Sequence, residues 1–207
     1  MTAAVNFALA QMIFALSDSS DVEEDCRTMI SAAPRPHPSP PHNTRASACN
    51  IYVLGMIGMV RRNATFEQAT AATTKDLKHW FSDEFRRSLR WFMSSVSTAA
   101  PLKPPSGVYV SNLGTVQQHL KSEYGSLKVR TFHLGVATMT RQMTFHIWTF
   151  RGQMTLSLNY NTPYHSTNSV RQRLDIIQRE LAKGLGLDFV AGEGMVIGAK
   201  GENPPQG

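Results

Sequence analysis

The chain is short of the features that usually name a chemistry at sight. It has two cysteines in 207 residues, Cys26 and Cys49, and no Cys-x-x-Cys pair. That is too few for a disulfide framework, and it favours a reduced, cytoplasmic setting. Charged residues make up only 17%, with a net charge of +6. The modest excess favours small anionic partners such as phosphate-bearing cofactors. No basic run stands out, since Arg61-Arg62 and Arg86-Arg87 are isolated pairs, so a nucleic-acid partner is not expected. Long apolar runs are missing too. Residues 3–16 have the polarity of a signal core, but no Lys or Arg precedes them and Asn6 and Gln11 interrupt them. The longest other run, Ile51 to Val60, is far too short to span a bilayer, so no membrane partner is expected. Gly-x-Ser-x-Gly, Gly-x-Gly-x-x-Gly and Walker A motifs are absent, which removes the usual support for hydrolase, dinucleotide and nucleoside-triphosphate readings. Gly192-Glu-Gly194 and Gly198 lack the strand-to-helix context of a phosphate loop.

What is present is a block of strands between residues 107 and 161. In Met143 to Phe150, Met143, Phe145, Ile147 and Thr149 share one face, and Thr144, His146, Trp148 and Phe150 the other. In Met154 to Asn161, Met154, Leu156, Leu158 and Tyr160 alternate with Thr155, Ser157, Asn159 and Asn161. Period two at this length predicts half-buried strands. Arg151-Gly152-Gln153 between them suits a β-hairpin. Leu127 to Val136 predicts another strand, and Val108 to Ser111 a short apolar one.

Helices flank this block. Val5, Ala8, Leu9, Met12, Ile13 and Leu16 form an apolar stripe, so a helix is expected from Thr2, as its cap, to about Leu16. Ser17 to Asp25 is polar and reads as a loop. Residues 33–45 carry five prolines and predict an extended segment, more simply a crossing loop than an arm for a proline-reading module. Cys49 to Val60 reads as a buried strand. Thr65 to about Phe92 reads as a long helix with Leu77, Phe81, Phe85, Leu89 and Phe92 inward. A last helix starts near Ser166 to Ser169, buries Val170, Leu174, Ile177 and Leu181, and stops at Gly184. The fold class is α/β: a mixed sheet with covering helices over residues 1–186. Residues 187–207 form a Gly/Pro-rich tail, expected to be disordered at its end.

His79 and Asp83 stand in His-x-x-x-Asp spacing, the core of an acyl-transfer motif in which the His takes the proton of the attacking hydroxyl or amine. Helical phase sets both on the polar face with Arg86 and Arg90, where Asp83 is better explained as a partner of Arg86 or Arg87. His79 is therefore a weak catalytic candidate. No histidine has metal-ligand spacing, and no metal site is expected. Each of the others, His146 included, reads as hydrogen-bonded or facing solvent.

Tyr109-Val-Ser-Asn-Leu-Gly-Thr-Val116 is an apolar strand ending in Ser-Asn-x-Gly. Followed by a hairpin and a closing amphipathic helix, it resembles the C-terminal half of the condensation-type, chloramphenicol acetyltransferase-like acyltransferases. The nearest look is to the fungal trichothecene O-acetyltransferase-like branch. An opening helix with Thr2, Ala8 and Leu9, and Pro41-His-Asn-Thr-Arg45, are similar to family segments in the right order. The resemblance implies one lobe of a two-lobed fold. It also implies transfer of an acyl group from a coenzyme A thioester, as co-substrate, to a small-molecule alcohol in secondary-metabolite biosynthesis, including mycotoxin biosynthesis. It places Ser111, Asn112 and Gly114 beside the donor, where they could bind it or its developing oxyanion. The plainer reading of Asn112 and Gly114 is a turn that ends a strand.

The family's His-His-x-x-x-Asp-Gly loop is absent from this sequence. The expectation is a truncated or divergent lobe without its general base. Such a lobe could assemble with a second lobe, serve as a non-catalytic scaffold beside other biosynthetic enzymes, or belong to a longer coding sequence.

Overall fold

The computed structural model describes residues 1–17, 24–32, 54–80, 108–118, 120–137 and 141–187. The Pro-rich segment 33–45, residues 188–207, and Phe81, Asp83, Phe85, Leu89 and Phe92 lie outside the described residues.

Five described strands, β1 (Asp25–Ala32), β2 (Leu54–Arg61), β3 (Val108–Thr115), β6 (Met143–Phe150) and β7 (Gln153–Asn159), form one mixed sheet in the order β2-β1-β3-β6-β7. β3 is central and runs parallel to both β1 and β6, while β2 and β7 close the two edges antiparallel to their neighbours. A small hairpin, β4 (Glu123–Tyr124) with β5 (Leu127–Lys128), stands apart from this sheet.

Helices α1 (Thr2–Leu16), α2 (Phe66–Trp80) and α3 (Thr167–Leu185) accompany the sheet. Val5, Ala8, Leu9 and Met12 of α1 pack with Ile30, Met56, Val110, Phe145 and Ile147 of four strands and with Ile177 and Leu181 of α3. Nine residues of α1 are buried, from Ala3 to Ala10 and Met12. The helix is therefore wrapped on several sides rather than lying on the surface by one stripe. Its buried Asn6 is satisfied internally: its amide donates to Thr73 Oγ1 of α2 at 3.4 Å, and its carbonyl accepts from the Thr28 hydroxyl of β1. Gly58 of β2 makes room for this network, because a Cβ there would meet Asn6 Nδ2 and Ile30 Cδ1, both at 2.8 Å.

The hairpin between β6 and β7 turns at Arg151 and Gly152, with φ of 52° and 75°. Positive φ at both central residues is what a type I′ turn needs to match strand twist. α2 opens with a capping box: Gln68 N donates to Thr65 Oγ1, and Thr65 N donates to Gln68 Oε1. α3 is capped by Ser166, whose hydroxyl accepts from Ser169 N.

Several expectations are corrected. Leu127 to Val136 is not a strand. Only Leu127 and Lys128 pair, and residues 129–137 continue with no regular structure. Asp25 is not in a loop but begins β1, a strand flanked on both sides that carries too little apolar alternation to announce itself. Thr2 does not cap α1, whose N-cap is Met1 without a side-chain bond. α3 does not stop at Gly184. It runs to Leu185 and ends on Gly186 at φ 65°, while Gly184 lies against the Phe66 ring. β3 continues four residues beyond Ser111.

Candidate functional site

The end of β3 is where the motif-bearing residues fall. Alternation along the strand sends Val108 and Val110 into the helix-covered core, with Tyr109 and Ser111 on the opposite, outer face. Asn112 therefore returns to the helix side. Its Nδ2 donates to Thr2 Oγ1 at 2.7 Å, tying the strand end to the first turn of α1. Its Oδ1 accepts from Gly114 N at 2.8 Å. This short loop, with Gly114 at φ 67°, sits in a bulge where the register with β6 skips Leu113. The structure does not bring Ser111 and Asn112 onto one face. Asn112 and Gly114 build the end of the strand, whereas half-buried Ser111 is on the outer face.

Ser111 belongs to a row that crosses the sheet. Its register partners are Ser31 on β1 and His146 on β6, and His146 is opposite Ser157 on β7. Neighbouring strands lie roughly 4.8 Å apart. The next row holds Tyr109, Thr144 and Asn159. This face is mostly polar, and at its far edge Ile57 and Met59 of β2 are 46% and 45% exposed.

His146 corrects the expectation that every histidine is bonded or solvent-facing. It is 6% exposed, and neither ring nitrogen has a hydrogen-bond partner. Desolvation by burial pushes its pKa below the ordinary histidine value, so the ring is neutral at neutral pH. A signal for this was present in the sequence. Met143 to Phe150 is apolar on both faces near Trp148 and Phe150, and a histidine between two such faces is buried with few polar groups to meet it.

His79 is exposed in the last turn of α2, and its partner in the spacing, Asp83, lies outside the described residues. His165 Nε2 donates to the Arg141 carbonyl at 2.7 Å, and His133 meets Thr131 at 3.3 Å on the surface. Cys26 is buried against Phe7, Ala10 and Val60. Among the described residues no group of three His, Cys, Asp or Glu side chains is placed to hold a metal ion. No described helix is long and apolar enough to cross a membrane. An open groove lies beside α2, lined by Phe66, Thr70, Thr74, Lys75 and Lys78 and by Gly184 of α3.

No family model matches the chain. Among curated proteins it is 35% identical over 199 residues to azaphilone biosynthesis cluster protein M of Aspergillus terreus, covering 91% of this chain and 48% of that protein. It is 36% identical over 196 residues to O-acetyltransferase pigM of Monascus ruber, covering 91% of this chain and 39% of that one. The chain thus spans less than half the length of the curated relatives it matches. Among solved structures it resembles the TRI3 trichothecene 15-O-acetyltransferase of Fusarium sporotrichioides, with a TM-score of 0.65 and 14% identity over 88% of this chain and 41% of that one. It also resembles the epimerization domain from the third module of tyrocidine synthetase B, at 0.61 and 10% over 90% of this chain and 42% of that one. Helices on one face of a mixed five-stranded sheet, the Ser-Asn-x-Gly strand end and these relationships agree. The chain has the condensation-type, chloramphenicol acetyltransferase-like acyltransferase fold and is related in sequence to an azaphilone biosynthesis cluster protein of Aspergillus terreus and to a pigment O-acetyltransferase of Monascus ruber.

Proposed function

We propose that the chain takes part in O-acyl transfer in secondary-metabolite biosynthesis, moving an acyl group from a coenzyme A thioester to the hydroxyl of a small molecule. The observation that carries this reading is the identity of 35–36% over nine-tenths of the chain to an azaphilone-cluster protein and a pigment O-acetyltransferase. In the reaction the acceptor oxygen attacks the thioester carbonyl, the new C–O bond forms and the C–S bond breaks. The hydroxyl proton passes to a base and then to the leaving thiolate. Positioned donors near the carbonyl oxygen stabilise the charge that develops there.

In this reading Ser111 is the contact with the donor, because it lies on the outer face at the strand end. Asn112 and Gly114 hold that strand end in place through Thr2 and the bulge. The general base is supplied from sequence matching the rest of the relatives' length, in the same or another polypeptide. Its absence would forfeit about 10²–10⁴-fold in rate.

Calorimetric titration of the folded chain with acetyl-coenzyme A tests the donor assignment. Binding is expected, and Ser111→Ala is expected to weaken it at least about tenfold, one hydrogen bond's worth, with an unchanged melting temperature. A folded chain that does not bind, or a Ser111→Ala variant that binds equally well, removes the donor from this strand end.

A further inference from the structure

Five buried side-chain nitrogens lack a hydrogen-bond partner among the described residues. They are Arg62 Nε, both ring nitrogens of His146, Trp148 Nε1 and Asn159 Nδ2. Four of the five lie on the outer face of the sheet, on the adjacent strands β6 and β7. Native interiors seldom tolerate this, since a buried polar group without a partner loses its bonds to water and gains none in return. Such a concentration on one face is the pattern of a surface made for something else to bond to.

The cover over this face has an unusual construction. Residues 129–137 form no strand, yet Val129, Phe132 and Leu134 pack against Trp148, Phe150 and Val116. The Phe132 ring meets the Trp148 ring edge-on, with centroids 5.6 Å apart and planes at 83°. Val129 N donates to the Ser122 carbonyl, and Val136 N donates to Asn159 Oδ1 at 3.1 Å. A segment outside any ladder, held mainly by side-chain packing, opens at lower cost than a strand.

We propose that the outer face around His146, Trp148 and Asn159 is a ligand site covered by residues 129–137, and that it takes a neutral aromatic hydroxy-ketone. The indole N–H, the two amide N–H groups of Asn159 and the one N–H of a neutral imidazole are four donors, and the other imidazole nitrogen is one acceptor. A carbonyl oxygen beside a hydroxyl matches that set. A planar ring in the place of Phe132 keeps the contact with Trp148. A charged ligand fits poorly: the positions on this face of β6 and β7, from Thr144 to Trp148 and from Thr155 to Asn159, carry no ionised side chain, and Arg130 on the cover is exposed. The site stands on these orphaned groups and does not require the acyl-transfer reading.

The test is a titration of the full chain with 2,4-dihydroxyacetophenone, followed by the indole N–H resonance of Trp148 in a ¹H–¹⁵N spectrum and assigned with Trp148→Phe. Isopropylbenzene serves as the apolar control. A saturable shift with the hydroxy-ketone and none with the hydrocarbon is expected. His146→Leu and Asn159→Ala are each expected to weaken binding about tenfold, the equivalent of one lost hydrogen bond. Phe132→Ala is expected to tighten it severalfold, because the open form is then more populated. No saturable shift in either the natural chain or Phe132→Ala overturns the proposal. So does an equal response to isopropylbenzene, or unchanged affinity in folded His146→Leu and Asn159→Ala. Acetyl-coenzyme A binding is read separately, so either proposal can fail without the other.

Discussion

The two faces of the sheet solve the same problem in opposite ways. On the helix side, Ile30, Val110, Phe145 and Ile147 are almost fully buried against α1 and α3. The polar groups admitted there, Asn6, Thr28 and Thr73, bond to one another, and Asn112 bonds to Thr2. On the outer side Ser111, His146 and Ser157 form a polar row, and buried N–H groups go without partners. One face is satisfied from within the fold and carries its stability. The other is left chemically open, which is where binding chemistry belongs.

Breaking this contrast should show first in stability. Phe145→Ala should cost about 3–5 kcal/mol, whereas Thr144→Ala, next to it on the outer face, should stay within about 0.5 kcal/mol. Paired denaturant melts measure both, and equal losses would erase the distinction. Gly58→Ala should cost about 1–3 kcal/mol, since its methyl enters the Asn6 network and the packing around Ile30. A melting temperature unchanged by that substitution would mean the close approach is not needed. Asn112→Ala should cost about 1 kcal/mol. A double-mutant cycle with Thr2→Ala should recover most of that as coupling, because the two side chains share one bond.

The smallest effect is pH dependence. His146 has a folded pKa lowered by burial, so the unfolded chain binds the proton more readily than the native one. Stability is then fully present above the unfolded value of about 6.5. It declines as pH falls from there towards the lowered folded value. His146→Leu should flatten this part of the profile. Chemical melts between pH 7.5 and 5 check the slope, and a profile identical in the variant would assign the decline to other groups.

Much of the fold could be read from local pattern. β6 runs over Met143–Phe150 as its alternation requires, and Arg151-Gly152 makes the hairpin turn. α1 spans the residues its apolar spacing marks, and α3 buries Val170, Ile177 and Leu181 of its stripe. β1 was hidden because Asp-Cys-Arg-Thr-Met-Ile-Ser-Ala is polar where it meets Asn6, and only its two neighbouring strands give it a place. Leu127 to Val136 has a strand's composition, but beyond Lys128 it finds no ladder and packs by its side chains on Trp148 instead. The candidate site was half legible. Ser111, Asn112 and Gly114 stand together in one motif, but the period of the strand divides Ser111 from Asn112.

Periodicity and turn chemistry depend on residues close in sequence, so the strand pair β6–β7, the capped closing helix and the α/β class follow from local pattern. Which groups end up satisfied depends on residues far apart. Thr2 and Asn112 are 110 positions apart, and Asn6 meets Thr73 across 67. The tertiary structure alone decided that Asn112 is occupied and that Gly184 is a contact rather than a stop. Bonds and contacts between residues far apart are properties of the assembled sheet, and no local pattern contains them.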